Sequence, residues 1–244
     1  MTTSADSEPD VWSLMRDAPG TLAARGAFSA RWVLEPRRGM LRPSAAPLCE
    51  LGECCERNCS LRRDAPAARE ARAALVRCAL ASFGEACPHG AALNYGSLGA
   101  GCLHQDLELL CAFADAGVPL ATISVVDLMF ERPSPATAAA LQQFSEWFGP
   151  SVVCRSFGSL RAFAAASRAW PEQSRPQIIV QCDADKIPAA ETRATAVECL
   201  AEGGFLLTLA ASPAPTLSAY RRREGGLVEV GVPPSARAHS RAGS

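Results

Sequence analysis

From Ala91 onward the chain alternates short apolar runs with helical patterns, and this alternation constrains the fold more than any other feature. The runs are apolar on both sides instead of at every second position, which is typical of strands buried in a parallel sheet. We place strands at 91–95, 120–127, 151–156, 177–183 and 205–211, with one more at 227–230. We place helices at 103–116, 134–148, 159–170 and 189–201. Successive strand-helix-strand units predict a three-layer α/β fold, a mainly parallel sheet with helices on both faces.

The pattern divides the chain into four segments. Residues 1–45 show no sustained apolar period, so we expect an irregular N-terminal arm. Residues 46–88 hold a cluster of cysteines and a leading helix, in which apolar residues recur at helical spacing from Ala65 to Phe83. Residues 89–232 form the α/β domain, and 233–244 are expected to be a disordered tail.

Composition restricts the classes of partner. The chain has 244 residues and is 48% apolar, enough for one sizeable core. A formal net charge of -1 creates no global field that attracts nucleic acid, and two tyrosines and four tryptophans offer few stacking surfaces. The apolar runs fall far short of the roughly 20 residues that span a bilayer, and residues 1–20 do not have the pattern of a secretory signal. We therefore expect a soluble cytoplasmic protein whose partner is neither a membrane nor a nucleic acid.

The cysteines form two groups. There are eleven in all, an odd number that cannot pair completely, so we expect most of them to be reduced. Those scattered through strands and helices are predicted to pack as small apolar side chains. The other four are Cys49, Cys54, Cys55 and Cys59. Their spacing leaves a metal site, a redox pair and plain thiols open, and we assign no metal ligand.

A glycine-rich turn follows the first predicted strand and runs from Tyr95 to Gly101. Glycine tolerates backbone angles that side chains forbid, so Gly99 and Gly101 allow a sharp bend and the close approach of a ligand to the backbone. Amides at the start of the next helix then face that ligand. The turn predicts a cofactor-binding loop, and the alternative is a tight strand-to-helix turn that binds nothing.

Polar side chains follow the ends of the other predicted strands. Asp127 ends the second strand, Ser156 and Phe157 lie at the end of the third, and Asp183 ends the fourth. Ligands of open parallel sheets bind beyond the carboxyl ends of the strands, so we expect these residues and the glycine turn to converge on one crevice. For Asp127 the alternative is a carboxylate that caps the following helix.

The order of these features over residues 91–212 resembles the class I S-adenosylmethionine-dependent methyltransferases, which have a Rossmann-like fold. That family carries an acidic residue and three alternating glycines in the first turn, and a second acid at the end of the second strand. Gly99 and Gly101 match the second and third glycines. Asp127 looks like the acid that binds the ribose hydroxyls, and Asp183 stands where the fourth-strand motif contributes to the site.

Two positions depart from the family pattern. Tyr95 takes the place of the acid that anchors the methionine amino group, and Ser97 takes the place of the first glycine. The resemblance implies an S-adenosyl-L-methionine-dependent methyltransferase, with Asp183 as a catalytic residue facing a small-molecule or protein acceptor. It places the cofactor against Tyr95, Ser97, Gly99, Gly101, Asp127, Ser156 and Phe157. A nicotinamide-dependent oxidoreductase and a non-catalytic Rossmann-like binding module stay open as alternatives.

Three further groups of residues carry weaker signals. Asp183 and Asp185 have the oxygen ligands of a divalent cation site, but two carboxylates alone favour a helix cap or a solvated loop. Cys102 and His104 open a helix whose dipole favours a thiolate, yet residues two apart on a helix point in different directions. The basic run 221–223 is expected to be a solvated face.

Overall fold

The computed structural model describes residues 32–35, 40–43, 66–87, 90–101, 103–182, 187–210 and 215–232. Its strands are β1 (Trp32–Glu35), β2 (Met40–Pro43), β3 (Leu93–Leu98), β4 (Leu120–Val126), β5 (Val153–Phe157), β6 (Ile178–Cys182), β7 (Phe205–Ala210), β8 (Thr216–Arg223) and β9 (Gly226–Val230). Its helices are α1 (Pro66–Ala86), α2 (His104–Asp115), α3 (Pro135–Phe148), α4 (Leu160–Arg168) and α5 (Ala189–Cys199). The cysteine cluster at 49–59 and the tail at 233–244 lie outside these ranges.

The main sheet has seven strands in the order β5-β4-β3-β6-β7-β8-β9. The first five are parallel to one another, and β8 and β9 are added in antiparallel orientation. The predicted α/β class and mainly parallel sheet are therefore confirmed. Each parallel connection passes through a helix, as the right-handed crossover requires of neighbouring parallel strands.

Two cores lie on opposite faces of the sheet. The larger one packs α1, α2 and α3 against alternate residues of the central strands, such as Tyr95 and Ile178. The smaller one packs α4 and α5 against the intervening residues, such as Leu98 and Ile179. Because both faces of these strands are covered, their sequences are apolar throughout, which explains why the pattern predicted buried parallel strands.

The strand β3 ends later than the sequence pattern predicts. The sequence pattern predicts this strand at 91–95, but the strand runs from Leu93 to Leu98. Gly96 and Ser97 therefore lie within the sheet. A Cβ on Gly96 would stand 3.0 Å from Cγ1 of Ile179, a residue of the smaller core. This glycine therefore allows β3 to pack closely against that core, and it is not part of the turn. The turn itself begins at Gly99.

Strands also occur where none was predicted. β8 was missed because its sequence ends in three arginines and alternates only weakly. Within the N-terminal arm, β1 and β2 form an antiparallel pair of four residues each. The remainder of the arm lies outside the described ranges.

The basic run at the end of β8 is not a solvated face. The guanidinium of Arg221 lies 5.2 Å from the ring centre of Phe205 and donates to the carbonyl of Gly203. Arg222 donates to the carbonyl of Leu200, and its side chain is 15% exposed. Of the three arginines, Arg223 alone is exposed. Arg221 and Arg222 therefore bind β8 to the loop that precedes β7.

Capping serines set the beginnings of two helices. The hydroxyl of Ser134 accepts from the amide of Thr137 before α3, and that of Ser159 accepts from the amide of Ala162 before α4. Each bond satisfies one of the amides that a helix leaves without an internal partner. Among the helices of the described ranges, none combines the length and apolar character that a transmembrane segment requires.

Gly158, which links β5 to α4, packs directly on the segment that follows β4. A Cβ at this position would stand 2.6 Å from both Cα and Cβ of Glu131, a distance that real Cβ atoms do not show. The neighbour is backbone and cannot rotate away. Any side chain here must therefore push the two connections apart.

We predict that Gly158→Ala lowers the free energy of unfolding by roughly 1–3 kcal/mol, because overpacking forces the backbone to shift. Chemical denaturation measures the change. Gly84→Ala is the matched control, since Gly84 lies exposed on α1 with open space at its Cβ position. There alanine should raise stability by roughly 0.5–1 kcal/mol. A Gly158→Ala variant as stable as the wild type would contradict the packing described above.

Candidate functional site

The candidate site lies at the point where the strand order reverses. From β3 the chain builds outward through β4 to β5, and it then returns to add β6 on the other side of β3. The connections after β3 and β6 therefore leave in opposite directions and open a crevice at the carboxyl ends of these strands. The glycine-rich loop follows β3 and borders this crevice.

The loop contains three alternating positions with left-handed backbone geometry. Their φ angles are 73° at Gly99, 52° at Gly101 and 65° at Leu103. Leu103 is also 1% exposed, so burial of its side chain holds a backbone conformation that leucine otherwise avoids. Left-handed geometry thus recurs at every second residue from Gly99 to Leu103.

Tyr95 and Ser97 both lie inside β3, and their side chains are 0% and 4% exposed. The hydroxyl of Tyr95 donates to Oδ1 of Asp106 over 2.6 Å. The contact of these two side chains with a cofactor stays a prediction.

A series of hydrogen bonds joins the carboxyl ends of three strands. The amides of Gly99 and Ala100 donate to the carbonyl of Val126 over 2.8 and 3.0 Å. The amide of Asp127 donates to the carbonyl of Phe157 over 3.0 Å. The structure thus brings together the glycine loop, the end of β4 and the end of β5, as predicted for the crevice.

The carboxylate of Asp127 binds the loop directly. Its Oδ2 accepts from the amide of Gly101 over 2.9 Å, and its Oδ1 accepts from the amide of Met129 over 3.0 Å. The second bond caps the 3-10 turn Leu128–Phe130, so the capping alternative describes what this side chain does in the structure. Each oxygen keeps a second lone pair that can accept a further hydrogen bond.

Asp106, on the first turn of α2, is a buried acid that the sequence argument did not single out. It is 3% exposed, and burial raises its pKa to about 6, while the hydroxyls of Tyr95 and Ser97 hold the rise back. The charge of Asp127 raises the pKa further. These hydrogen bonds connect β3 to α2, the two elements that the glycine loop joins. An acidic residue in the first turn of a helix after such a loop was the available signal.

Leu128 is a second residue that the sequence argument missed. It follows Asp127 directly, and 75% of its surface is exposed, more than for any other large apolar residue of the described ranges. Leu128 therefore places an exposed apolar side chain beside Asp127, just after the carboxyl end of β4. The sequence feature that could have indicated Leu128 is its position as a large apolar residue directly after Asp127, the acid that ends a predicted strand.

Of the other predicted site residues, the structure describes Ser156 and Phe157. Ser156 is exposed on β5, and the ring of Phe157 packs against Phe163 and Trp170, with centroids 5.4 and 6.3 Å away. Its carbonyl, not its ring, takes part in the contacts with Asp127. Cys102, Asp183 and Asp185 lie outside the described residues. The proposed Cys102 and His104 pair and the Asp-x-Asp motif are therefore not placed.

The thiols of the described cysteines pack as apolar side chains. Cys78, Cys111 and Cys199 are buried and free, as predicted for cysteines within helices. Burial raises the pKa of Cys111 to about 12 and that of Cys199 to about 11, so neither forms a thiolate near neutral pH. Within the part of the chain that the structure describes, no group of three or more potential ligands surrounds a metal position.

The pKa of Asp106 predicts how stability depends on pH. Because the pKa of Asp106 is about 6 in the folded protein and the ordinary value of an aspartate is 3.8, the folded state binds this proton more tightly than the unfolded state does. Stability therefore falls as pH rises from about 4 to about 6, by up to about 3 kcal/mol for this group. Asp106→Asn, which keeps an acceptor for Tyr95, should remove that loss.

Denaturation of both proteins between pH 4 and pH 7.5 measures the effect as a difference between variant and wild type. Asp115→Asn is the matched control, because Asp115 is exposed at the other end of α2. The control should leave the pH dependence of the wild type in place. A constant stability difference between Asp106→Asn and wild type across this range would refute the burial effect.

Comparisons of the sequence with protein families and with curated proteins find no match. Comparison with solved structures does find similar chains. One is phosphoethanolamine N-methyltransferase 1 of Haemonchus contortus in complex with phosphoethanolamine and S-adenosylhomocysteine, at 12% identity and a TM-score of 0.38. The match covers 61% of this chain and 28% of the nematode enzyme.

Two others come from Burkholderia thailandensis. One is a methyltransferase candidate bound to S-adenosylhomocysteine, with 14% identity, a TM-score of 0.33, and coverage of 94% of this chain and 52% of that one. The second is an uncharacterised protein, with 16% identity, a TM-score of 0.31, and coverage of 94% and 50%. The chain spans about half or less of the length of each of these similar structures.

Proposed function

We propose that this protein is an S-adenosylmethionine-dependent methyltransferase. The observation that carries the proposal is the loop after β3, which has three alternating left-handed positions, borders the crevice where the strand order reverses, and is bound by the acid that ends β4. A crevice at this place in an open parallel sheet is where nucleotide-like ligands bind. An adenosyl cofactor fits the combination of bare backbone, acid and apolar rim.

The residues present match separate parts of that cofactor. A Cβ at Gly101 would meet nothing within 4 Å, so open space lies in front of the loop for a ligand to approach the backbone. Asp127 would accept hydrogen bonds from the ribose hydroxyls on its remaining lone pairs. Leu128 would cover the adenine ring. Ser97 provides no carboxylate for the methionine ammonium, and Asp106 is already bound by Tyr95 and Ser97.

Methyl transfer asks the protein mainly to position two reactants. The bound cofactor supplies an electrophilic methyl group on a positively charged sulfur. The chain's own task is to hold the donor against the loop and to align the acceptor atom behind the methyl group, and alignment alone supplies a large part of the rate enhancement. The crevice needs no nucleophilic side chain for this chemistry. The absence of a reactive thiol among the described cysteines agrees with it.

The acceptor side of the site belongs to the end of β6. Asp183 follows this strand directly in the sequence, and we propose that it faces the acceptor as a base or as a binding group. The acceptor is a small molecule or a protein side chain. The described cysteines carry free thiols, which fits the reducing environment of the cytoplasm that we propose as its location.

Calorimetric titration with S-adenosylhomocysteine tests the proposal. We expect the wild type to bind it, and Leu128→Ala to bind it roughly 3- to 10-fold more weakly, because truncation removes apolar contact area of the order of two methylene groups. Asp127→Ala should weaken binding further, since it removes the ribose acceptor and releases the amide of Gly101. Val228→Ala is the control, an apolar truncation at another exposed site, which lies on the edge strand β9.

Leu128→Ala should keep the stability of the wild type, because its side chain makes little contact with the rest of the protein. Equal affinity of Leu128→Ala and Val228→Ala would remove Leu128 from the site. Binding of NADH in place of S-adenosylhomocysteine would favour a nicotinamide-dependent oxidoreductase. A folded wild type that binds neither ligand would indicate a non-catalytic binding module.

A further inference from the structure

The strand β9 forms one edge of the seven-stranded sheet. A two-residue turn joins it to β8, and in this turn Glu224 and Gly225 both have positive φ, at 49° and 80°. These angles fit a type I′ turn, whose twist matches that of the paired strands, so the turn holds β9 in register with β8. Within the ranges that the structure describes, no strand pairs with the other side of β9.

The hydrogen-bond ladder identifies the backbone groups of β9 that point outward. The amide of Arg222 on β8 donates toward β7, to the carbonyl of the residue before that strand, over 2.8 Å. Alternate residues of an antiparallel strand bond to opposite sides, so Arg221 bonds to Val228, its partner on β9. By the same alternation, Leu227 and Glu229 direct their amides and carbonyls away from β8. These groups are the hydrogen-bonding edge that a further strand could use.

The strand β9 lacks the features that commonly keep edge strands from pairing. It contains no proline and no lysine, Glu229 is its only charge, and its pairing with β8 has no bulge. Leu227 packs against the smaller core, which covers one face of the strand. On the other face Val228 is 51% exposed. The edge therefore presents unpaired backbone groups beside an open apolar side chain.

The opposite edge of the sheet, β5, has a different charge pattern. Its central residue is Arg155, whose guanidinium lies 4.6 Å from the ring centre of Trp170. Two copies of β5 paired in antiparallel orientation about this residue would place like charges opposite each other, which is destabilising. The charge pattern therefore favours β9 over β5 as the edge at which two copies of the chain meet.

We propose that β9 pairs in antiparallel orientation with β9 of a second copy of this chain, with the twofold axis at Val228. Leu227 of each copy then lies opposite Glu229 of the other, and these residues exchange the outward-directed hydrogen bonds of both strands. The two Val228 side chains meet across the axis on the open face. An axis at Glu229 would instead place two carboxylates opposite each other. The dimer needs no cofactor and does not depend on the proposed methyltransferase function.

Sedimentation equilibrium of the full chain tests the proposal. We expect a reversible monomer–dimer equilibrium, because a single strand pair buries less surface than a standard interface. Val228→Arg should weaken dimerisation at least about 10-fold, because it brings two positive charges together at the axis. Val153→Arg is the matched control, since Val153 is a valine with 47% exposure on the other edge strand, β5. This control should dimerise as the wild type does.

Disulfide cross-linking tests the position of the axis. Opposed residues of a non-hydrogen-bonded pair have Cα atoms about 4.5 Å apart, within the range that a disulfide bridges. Oxidised glutathione should therefore convert Val228→Cys to a covalent dimer. Val230→Cys is the control, because the two copies of that position would lie roughly 14 Å apart along the strands. The chain has eleven other cysteines, so mass spectrometry of the peptides identifies the bond.

Three results would each overturn the proposal. The first is a wild type that stays monomeric at millimolar concentration. The second is dimerisation that Val228→Arg leaves unchanged while its circular dichroism and melting temperature match those of the wild type. The third is a cross-link through Val230→Cys in place of Val228→Cys, because the axis would then lie elsewhere. The cross-linking result keeps the proposal testable if Val228→Arg does not fold.

Discussion

The carboxylate of Asp127 is the interaction on which the geometry of the crevice depends. One oxygen binds the amide of Gly101 in the loop after β3, and the other caps the turn that carries Leu128. The Asp127 side chain thus sets the position of the glycine loop relative to the exposed Leu128. Charge-assisted bonds from backbone amides are among the stronger hydrogen bonds in proteins, so this arrangement resists thermal motion better than packing of a glycine loop alone would.

A second layer of contacts supports the loop from behind. Tyr95 and Ser97 on β3 and Asp106 on α2 are joined through hydrogen bonds in the interior of the larger core. A buried network of this kind stabilises one arrangement only if every member is satisfied. The residues that replace the expected acid and glycine therefore have a structural task, which is to fix the angle between β3 and α2.

The sequence predicted the α/β class and the parallel strands well, because apolar runs between glycines and prolines indicate burial on both faces of a strand. It did not predict where β3 ends. Gly96 looks like a turn residue in the sequence, and only the approach of Ile179 shows that it is needed inside the sheet. The role of Asp106 was equally hidden, since its partner Tyr95 became its neighbour only through the fold. The basic run predicts that Arg222 is solvated, because its contact with the carbonyl of Leu200, in the loop before β7, arises only in the folded protein.

Leucine at position 103 has a consequence for how the loop responds to a ligand. Its left-handed backbone costs of the order of 1–2 kcal/mol, and replacement by glycine would remove that strain. The same replacement would empty a fully buried site, which typically costs about 2–5 kcal/mol. The hydrophobic anchor outweighs the strain, so the loop stays preorganised instead of acting as a hinge. A ligand that bound to this loop would lose little affinity to the entropy of ordering it.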